Sequence, residues 1–322
     1  MLQQLAHELR MYASISENRC LKVLMNVLPD LQHQFIIGEE IVTFFSASHL
    51  IAFDIVTYHH DHPDAYWVAW KRENTIKDVG IRYIRLEEAD LLHENTLLQT
   101  INTQLFKSLK LKVCGMRDHK NILDIAAIGP HYLGFICYAP SKRDIGETFQ
   151  MPLFDPAIAK VGVFVDADYD YICTKIQQFN LQAVQLHGHE STALCEQLKN
   201  TGIKVIKVFS VDDDFDFKTT MPYETVSDYF LFDTKGKAHG GNGVKFNWEL
   251  LTQYNGSKPL FLSGGIDLAD LPSIAKLNLL SLNLYALDVN SKFELEPALK
   301  DVMKVKQLKE GLHKSLINYE DG

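Results

Sequence analysis

The sequence predicts an α/β protein: a closed (β/α)8 barrel with an additional small N-terminal α/β domain. Three observations predict it. From about residue 111, short apolar runs rich in β-branched residues alternate with amphipathic stretches, and eight such runs can be counted. Each run is almost continuously hydrophobic, as expected of a parallel strand covered on both faces. The polar residues gather where the runs end, and in a barrel those ends share the one rim on which sites are built. An open doubly wound sheet, the alternative for this pattern, would string them along an edge.

Taken in order, residues 1–109 form the smaller domain. Residues 2–12 and 17–27 have helical patterning, 41–45 and 50–58 read as paired strands, and 67–79 as a helix. Residues 81–85 are extended, and a helix over 95–109 leads directly into the barrel, which spans 110–322. The barrel runs are 111–115, 132–137, 159–165, 181–187, 204–210, 228–233, 259–265 and 281–288. Between them lie amphipathic segments such as Thr192-Ala193-Leu194-Cys195-Glu196-Gln197-Leu198-Lys199. Eight βα units on about two hundred residues are at the low end of what a closed barrel needs.

Composition excludes several classes. At 322 residues, 46% apolar and 23% charged, the chain can bury a real core. A formal charge of −9 argues against nucleic acid as a partner of the barrel, because neutralising phosphates needs a basic surface. The five cysteines (Cys20, Cys114, Cys137, Cys173 and Cys195) are scattered and lack CxxC spacing. Thiols of a reducing cytoplasm are expected, with no bridge, no metal site and no cofactor. The polar start Met1-Leu2-Gln3-Gln4 and the absence of a bilayer-length apolar run point away from a signal peptide or a membrane.

Lys112-Val113-Cys114-Gly115 closes the first barrel run with a thiol and a glycine. A lone buried cysteine is usually a packing residue. Cys114 differs in its place at the rim and in the nearby Arg117, since a cation favours thiolate, a competent base. Asp233 ends the apolar run Tyr229-Phe230-Leu231-Phe232, where burial favours the uncharged acid form of a carboxyl. The plainer reading of Asp233 is a cap on the following loop.

These residues belong to a series. Gly134-Phe135 with Ser141-Lys142-Arg143, Val161 to Val165, Gln185-Leu186-His187-Gly188 and Phe232-Asp233-Thr234 follow in order. Gly240-Gly241-Asn242-Gly243, Phe246-Asn247-Trp248, Ser263-Gly264-Gly265-Ile266 and Asp288-Val289-Asn290-Ser291 complete the series, with Glu294 and Lys300-Asp301 beyond. From residue 111 to about 305 the series resembles the phosphoribosylanthranilate isomerases of tryptophan biosynthesis, which fold as TIM barrels. The resemblance implies an Amadori rearrangement of an N-glycosidic aminoaldose to a 1-amino-1-deoxyketose, with a phosphosugar substrate and no cofactor. It implies Cys114 as general base and Asp233 as general acid. It also implies Arg143 as partner of the anthranilate carboxylate, with His187 and Asp288 in contact with substrate. Phosphate would be bound by Gly243, Gly264, Gly265, Asn290 and Ser291, where paired glycines and a short helix can aim N–H groups at an anion. Asn242, Asn247 and Lys292 depart from the usual threonine, aspartate and glycine, which bears on affinity and leaves both proton-transfer residues in place. A homo-oligomer is compatible with this reading.

Residues 1–109 faintly resemble the Vsr and restriction-endonuclease-like domains in their order of elements. Such nucleases need clustered acidic residues to hold Mg²⁺. Here Thr43 stands where an aspartate is wanted and Asp54 remains. His59-His60-Asp61-His62 is read as a solvated loop, because consecutive residues at a strand tip point in different directions. A catalytically degenerate appendage is expected. Two further readings for the whole chain are a phosphosugar-binding regulator, which would have no use for an acid and a base, and another barrel isomerase, which would use paired aspartates in place of the cysteine.

Overall fold

In the computed structural model the described residues are 2–11, 14–25, 28, 30–47, 50–56, 63–93, 96–97, 100, 109–234, 247–279 and 283–313. The chain divides into two compact units, Met1–Lys107 with Pro272–Ser281 and His313–Gly322, and Ser108–Leu271 with Leu282–Leu312.

The first unit starts with helices α1 (Leu2–Met11) and α2 (Ile15–Met25). Strands β1 (Leu31–Ile37), β2 (Glu40–Ser46) and β3 (Ile51–Val56) follow, then α3 (Pro63–Asp78) and β4 (Arg82–Glu87). The sheet order is β1-β2-β3-β4, antiparallel except for the parallel β3–β4 pair. Strand β1 was not expected, because the Gln32-His33-Gln34 run interrupts the apolar alternation a strand normally shows. A two-residue turn, Gly38-Glu39, pairs β1 with β2, and Gly38 supplies the positive φ (60°) that such hairpins require. Successive residues point to opposite faces. Phe44 and Phe53 therefore join Leu24, Leu28, Ile84 and Leu86 in one cluster, while Phe45 and Ala52 pack with Ile76 in another. Most of the helix expected over 95–109 lies outside the described residues.

In the second unit the parallel strands are β5 (Lys110–Val113), β6 (Tyr132–Ile136), β7 (Ala159–Phe164), β8 (Ala183–Leu186), β9 (Lys204–Val211), β10 (Tyr229–Thr234), β11 (Leu260–Leu262) and β12 (Leu284–Val289). They close into one barrel, β12 pairing with β5 and β9 with β10. Helices α4 (His119–Ile128), α5 (Tyr169–Phe179), α6 (Thr192–Asn200) and α8 (Val302–His313) follow β5, β7, β8 and β12, while α7 (Leu271–Leu279), next after β11 in sequence, is grouped from Pro272 with the first unit. The expected eightfold repeat is incomplete. The β6–β7 connection, residues 137–158, holds no helix, and 3₁₀ turns stand at Phe217–Tyr223 and Trp248–Gln253 after β9 and β10. Five aromatic residues explain the first of these turns: Phe209, Phe215, Phe217, Tyr223 and Phe232 stack edge to face, covering the strands without a longer helix. A short hairpin, β13 (Glu294–Glu296) with β14 (Leu299–Lys300), precedes α8.

Inside the barrel, Val161, Ala183, Ile206, Val208, Leu231, Phe261 and Ala286 form a filled core, each burial contributing about 1.5–3 kcal/mol for the larger side chains. Tyr132, Tyr229 and Tyr285 pack against it at the N-terminal ends of their strands, the Tyr132 and Tyr285 hydroxyls 2.6 Å apart. That end is plugged, so a cavity for substrate belongs at the other rim. Among the described residues no helix is long and apolar enough to cross a membrane.

Candidate active site

Side chains on a strand alternate, so Lys112 and Cys114 project from β5 and its end to the same side. Asp288 is paired with Lys112 across the β12–β5 ladder and therefore points the same way. The Lys112 ammonium donates to Asp288 Oδ1 at 2.8 Å, and both side chains are almost fully buried. The Lys112 charge also acts on the Cys114 side chain, two residues along the same face of the chain. Burial pushes the Cys114 thiol up from its ordinary range, Lys112 and Lys300 pull it down, and Asp288 opposes them. Arg117, expected to be the cation beside the thiol, turns away, and its Nη1 donates to the carbonyls of Lys142 and Asp144. Its exposed position after the strand end lets it leave the barrel axis, whereas strand alternation commits Lys112 to the interior.

Asp233 stands one residue from the end of β10. Its Oδ1 accepts the Thr234 N–H at 2.9 Å, and its Oδ2 lies 3.4 Å from His187 Nε2. His187 follows β8, and its Nδ1 lies 3.2 Å from the Gln185 amide nitrogen. Asp288 is itself raised by burial, lowered by Lys112, and feels both Asp233 and His187. Cys114, Asp233, His187 and Asp288 are thus one electrostatic set at the C-terminal rim, with β5 and β10 separated by two strands on the shorter way round.

Arg143, on the β6–β7 connection, donates from Nε to Glu294 Oε1 (2.9 Å) and from Nη2 to Glu294 Oε2 (2.7 Å). Lys300 donates to the same carboxylate at 2.6 Å and to Asn290 Oδ1 at 2.7 Å. These two cations hold the Glu294 carboxyl below the usual carboxylate range despite its burial. Gly115 makes the arrangement possible: at φ 74° a Cβ there would sit 2.8 Å from both Arg143 Cδ and Asn290 Oδ1. Arg143, Asn290 and Cys114 are therefore brought together around the Gly115 backbone.

Gly264 and Gly265 adopt φ values of 94° and 66°, and a Cβ on Gly264 would run into Thr234 beside Asp233. The expected short helix at Asn290-Ser291 is a single 3₁₀ turn, Ser291–Phe293, whose cap residue Asn290 makes no side-chain capping bond. Its amide oxygen is taken by Lys300 instead, so only single N–H groups, and no helix dipole, are available there. Gly243, with Gly240, Gly241 and Asn242, lies outside the described residues, as do His59, His60, Asp61 and His62.

Three functional features escaped the sequence reading. Lys112 and Lys207 each interrupt an apolar strand, and a lysine buried in a barrel wall must be paired, which is the signal that could have found them. Lys207 donates to Glu190 Oε2 (2.8 Å) and to the carbonyls of Leu186 and Gly188, bracketing His187. Glu190 in turn accepts the N–H groups of Asp166 and Gly188. The third feature is Gly134, where a Cβ would sit 2.7 Å from Cys114 Sγ and 3.1 Å from Cys114 Cα. Gly134→Ala must therefore displace the thiol. A displacement of about 1 Å costs about 10²-fold in rate, so kcat is expected to fall by about that factor with thermal unfolding little changed. Wild-type turnover in Gly134→Ala would show that the position of the thiol is immaterial.

In the N-terminal unit, Asp54 is buried and fully engaged. Thr43 Oγ1 donates to Oδ1 at 3.0 Å, and Arg72 Nη1 and Tyr83 Oη donate to Oδ2 at 2.7 and 3.0 Å. Arg72 Nε also donates to Glu40 at 3.1 Å.

A family model described as N-(5'phosphoribosyl)anthranilate (PRA) isomerase matches residues 111–310. The N-(5'-phosphoribosyl)anthranilate isomerase of Parabacteroides distasonis is 40% identical over 200 residues, covering 61% of this chain and 90% of that protein. That of Phocaeicola vulgatus is 41% identical over 192 residues, covering 59% and 91%. Among solved structures, phosphoribosyl anthranilate isomerase from Thermotoga maritima superposes with a TM-score of 0.56 at 30% identity, over 63% of this chain and 98% of that one. A structure of the isomerase in complex with reduced 1-(o-carboxyphenylamino)-1-deoxyribulose 5-phosphate gives 0.53 at 28% identity, with the same coverage.

Proposed function

The chain belongs to the N-(5'-phosphoribosyl)anthranilate isomerase family, and from that premise we propose how its barrel divides the work of the reaction among its own residues. The reaction converts N-(5-phosphoribosyl)anthranilate to 1-(2-carboxyphenylamino)-1-deoxyribulose 5-phosphate, in tryptophan biosynthesis. Asp233 gives its proton to the ribose ring oxygen as the C1–O bond breaks, leaving an iminium at C1. The iminium acidifies the C2 hydrogen, which the Cys114 thiolate removes as a proton, and the resulting enolamine tautomerises to the aminoketose. Acid and base each contribute about 10² to 10⁴ in rate.

One observation carries this assignment: the thiol follows the end of β5 and the carboxyl stands at the end of β10, on one rim of one closed barrel with two strands between them. A sugar ring between them would meet the acid and the base on different sides. Glu294 uses one N–H from Nε and one from Nη2 of Arg143, so the remaining edge of its fork suits the planar anthranilate carboxylate. His187 and Asp288 line the substrate, and Gly264, Gly265, Asn290, Ser291 and Gly243 serve the phosphate. The experiment is loss of substrate fluorescence on addition of the protein, repeated with the double variant Cys114→Ser, Asp233→Asn. The wild type is expected to turn over and the folded double variant to be inert. Residual turnover near wild type would reject both roles.

The N-terminal unit is read as a catalytically degenerate appendage, covering about residues 1–109 ahead of the 110–322 barrel. Arg72 already takes the carboxylate that Asp54 would otherwise offer a metal, which supports that reading.

A further inference from the structure

We propose that Lys112 is a positioning residue of the reaction: its ammonium, fixed on Asp288, is the counter-charge on which the Cys114 thiolate forms. The inference rests on the reading of Cys114 as base. It starts from the cost of a bare anion in a dry site. Cys114 is 4% exposed, and an unpaired charge buried that deeply costs several kcal/mol. A thiolate there needs a cation that is itself held still.

Among the described residues, the charged groups that act on the thiol or on its neighbours come from several elements. Lys112 projects from the same strand, Asp288 from β12 and Lys300 from β14, while Arg143 and Glu294 reach Lys300 from the β6–β7 connection and β13. His187 and Asp233 act on Asp288 from beyond it. Lys300 is a poor candidate for the counter-charge. Its ammonium is already spent on Glu294 and Asn290, and burial pulls it down to about 8. Lys112 is fully buried, has one carboxylate partner, and lies two residues before the thiol on the same face of the chain, where its charge is the largest that favours the thiolate. Asp288 prevents the ammonium from swinging away, and strand alternation keeps its direction fixed.

During the reaction the thiolate becomes a thiol as it takes the C2 proton, and Lys112 remains an ammonium throughout. Its contribution should thus appear in proton uptake by sulfur and in kcat, not in substrate affinity. The test is an ultraviolet thiolate titration of the wild type minus Cys114→Ser, which isolates Cys114, and the same difference in a Lys112→Met background. Lys112→Met is expected to move the titration, and the acidic limb of kcat/KM, upward by at least one pH unit. At a fixed pH below the limb that is at least about tenfold in rate, with KM within about twofold. Lys112→Arg should recover part of the shift. Because Lys112→Met strands the buried Asp288 carboxylate, the titration is repeated in Lys112→Met, Asp288→Asn, where no orphan charge remains. Titrations of both Lys112→Met and the double variant that superpose on wild type would overturn the proposal. If Cys114→Ser keeps full activity, the base assignment itself fails. If Cys114→Ser is dead while the titration does not move, only the role of Lys112 fails.

Discussion

Cys114→Ser is expected to lower kcat by about 10²- to 10⁴-fold while leaving the barrel folded. A hydroxyl matches the thiol in shape, so packing around Gly134 is preserved; what is lost is the sulfur, whose ionised form is the base and which a far less acidic hydroxyl does not replace. The sign of the pH effect follows from the base role. Proton abstraction needs the ionised sulfur, so wild-type kcat/KM should rise with pH along its acidic limb, and that limb should vanish in Cys114→Ser. Stability responds in the opposite sense. Burial raises the folded-state thiol above its ordinary 9.0, so its contribution is complete below about pH 9 and is lost as the pH rises toward the folded value. Cys114→Ser should remove that alkaline loss. Cys195→Ala is the control: Cys195 is buried on α6, and its replacement should reduce stability without touching kcat. A Cys114→Ser enzyme with wild-type turnover, or a Cys195→Ala enzyme without any, would undo the assignment.

The barrel was legible because its signal is redundant. Eight apolar runs fix eight strands, and errors of one to three residues at their ends, as at 259–265 against Leu260–Leu262, do not alter the topology. The missing helix after β6 could have been read from Pro140, Gly146, Pro152 and Pro156, which break a helix there, but the regular alternation of the other units masked it; the actual path is set by Arg143 and Asp144. Strand β1 was missed for the converse reason: its pairing comes from the Gly38 hairpin and not from its own alternation. In the site, Cys114, Asp233, His187 and Asp288 could be found because strand ends converge in a barrel. The cation beside the thiol could not be found by proximity in sequence. Arg117 is three residues from Cys114 but beyond the strand, while Lys112 is two residues away on the same face, and Lys300 arrives from a hairpin nearly two hundred residues later.

That difference explains why the site is built around pairs. A barrel interior is too apolar to hold a lone charge, so each cation at this rim arrives with a carboxylate: Lys112 with Asp288, Lys300 and Arg143 with Glu294, Lys207 with Glu190. Cys114 is the one buried thiol placed between two such pairs. Asp233 has only a histidine, at 3.4 Å, and lacks a lysine or arginine ion pair among the described residues.

Asp233→Asn is the sharper test of that carboxyl, because it separates the acid role from the plainer one of capping the loop after β10. The asparagine oxygen can still accept the Thr234 N–H that Asp233 Oδ1 accepts at 2.9 Å. Its amide nitrogen can occupy the place of Oδ2 near His187 without a change of shape. If capping were the whole function, activity and stability would both survive. As the acid, the residue must part with a proton at the moment the ring C1–O bond breaks, and an amide does not do so. A fall in kcat of about 10²- to 10⁴-fold is therefore expected, with KM close to wild type and the melting temperature unchanged. Asp233→Ala should show the same loss of rate and, in addition, about 1 kcal/mol of destabilisation from the missing hydrogen bond. Single-turnover fluorescence and thermal denaturation of the two variants side by side give the answer: full rate in Asp233→Asn with damage confined to Asp233→Ala leaves a cap and no acid, whereas equal loss of rate in both places the proton on Asp233.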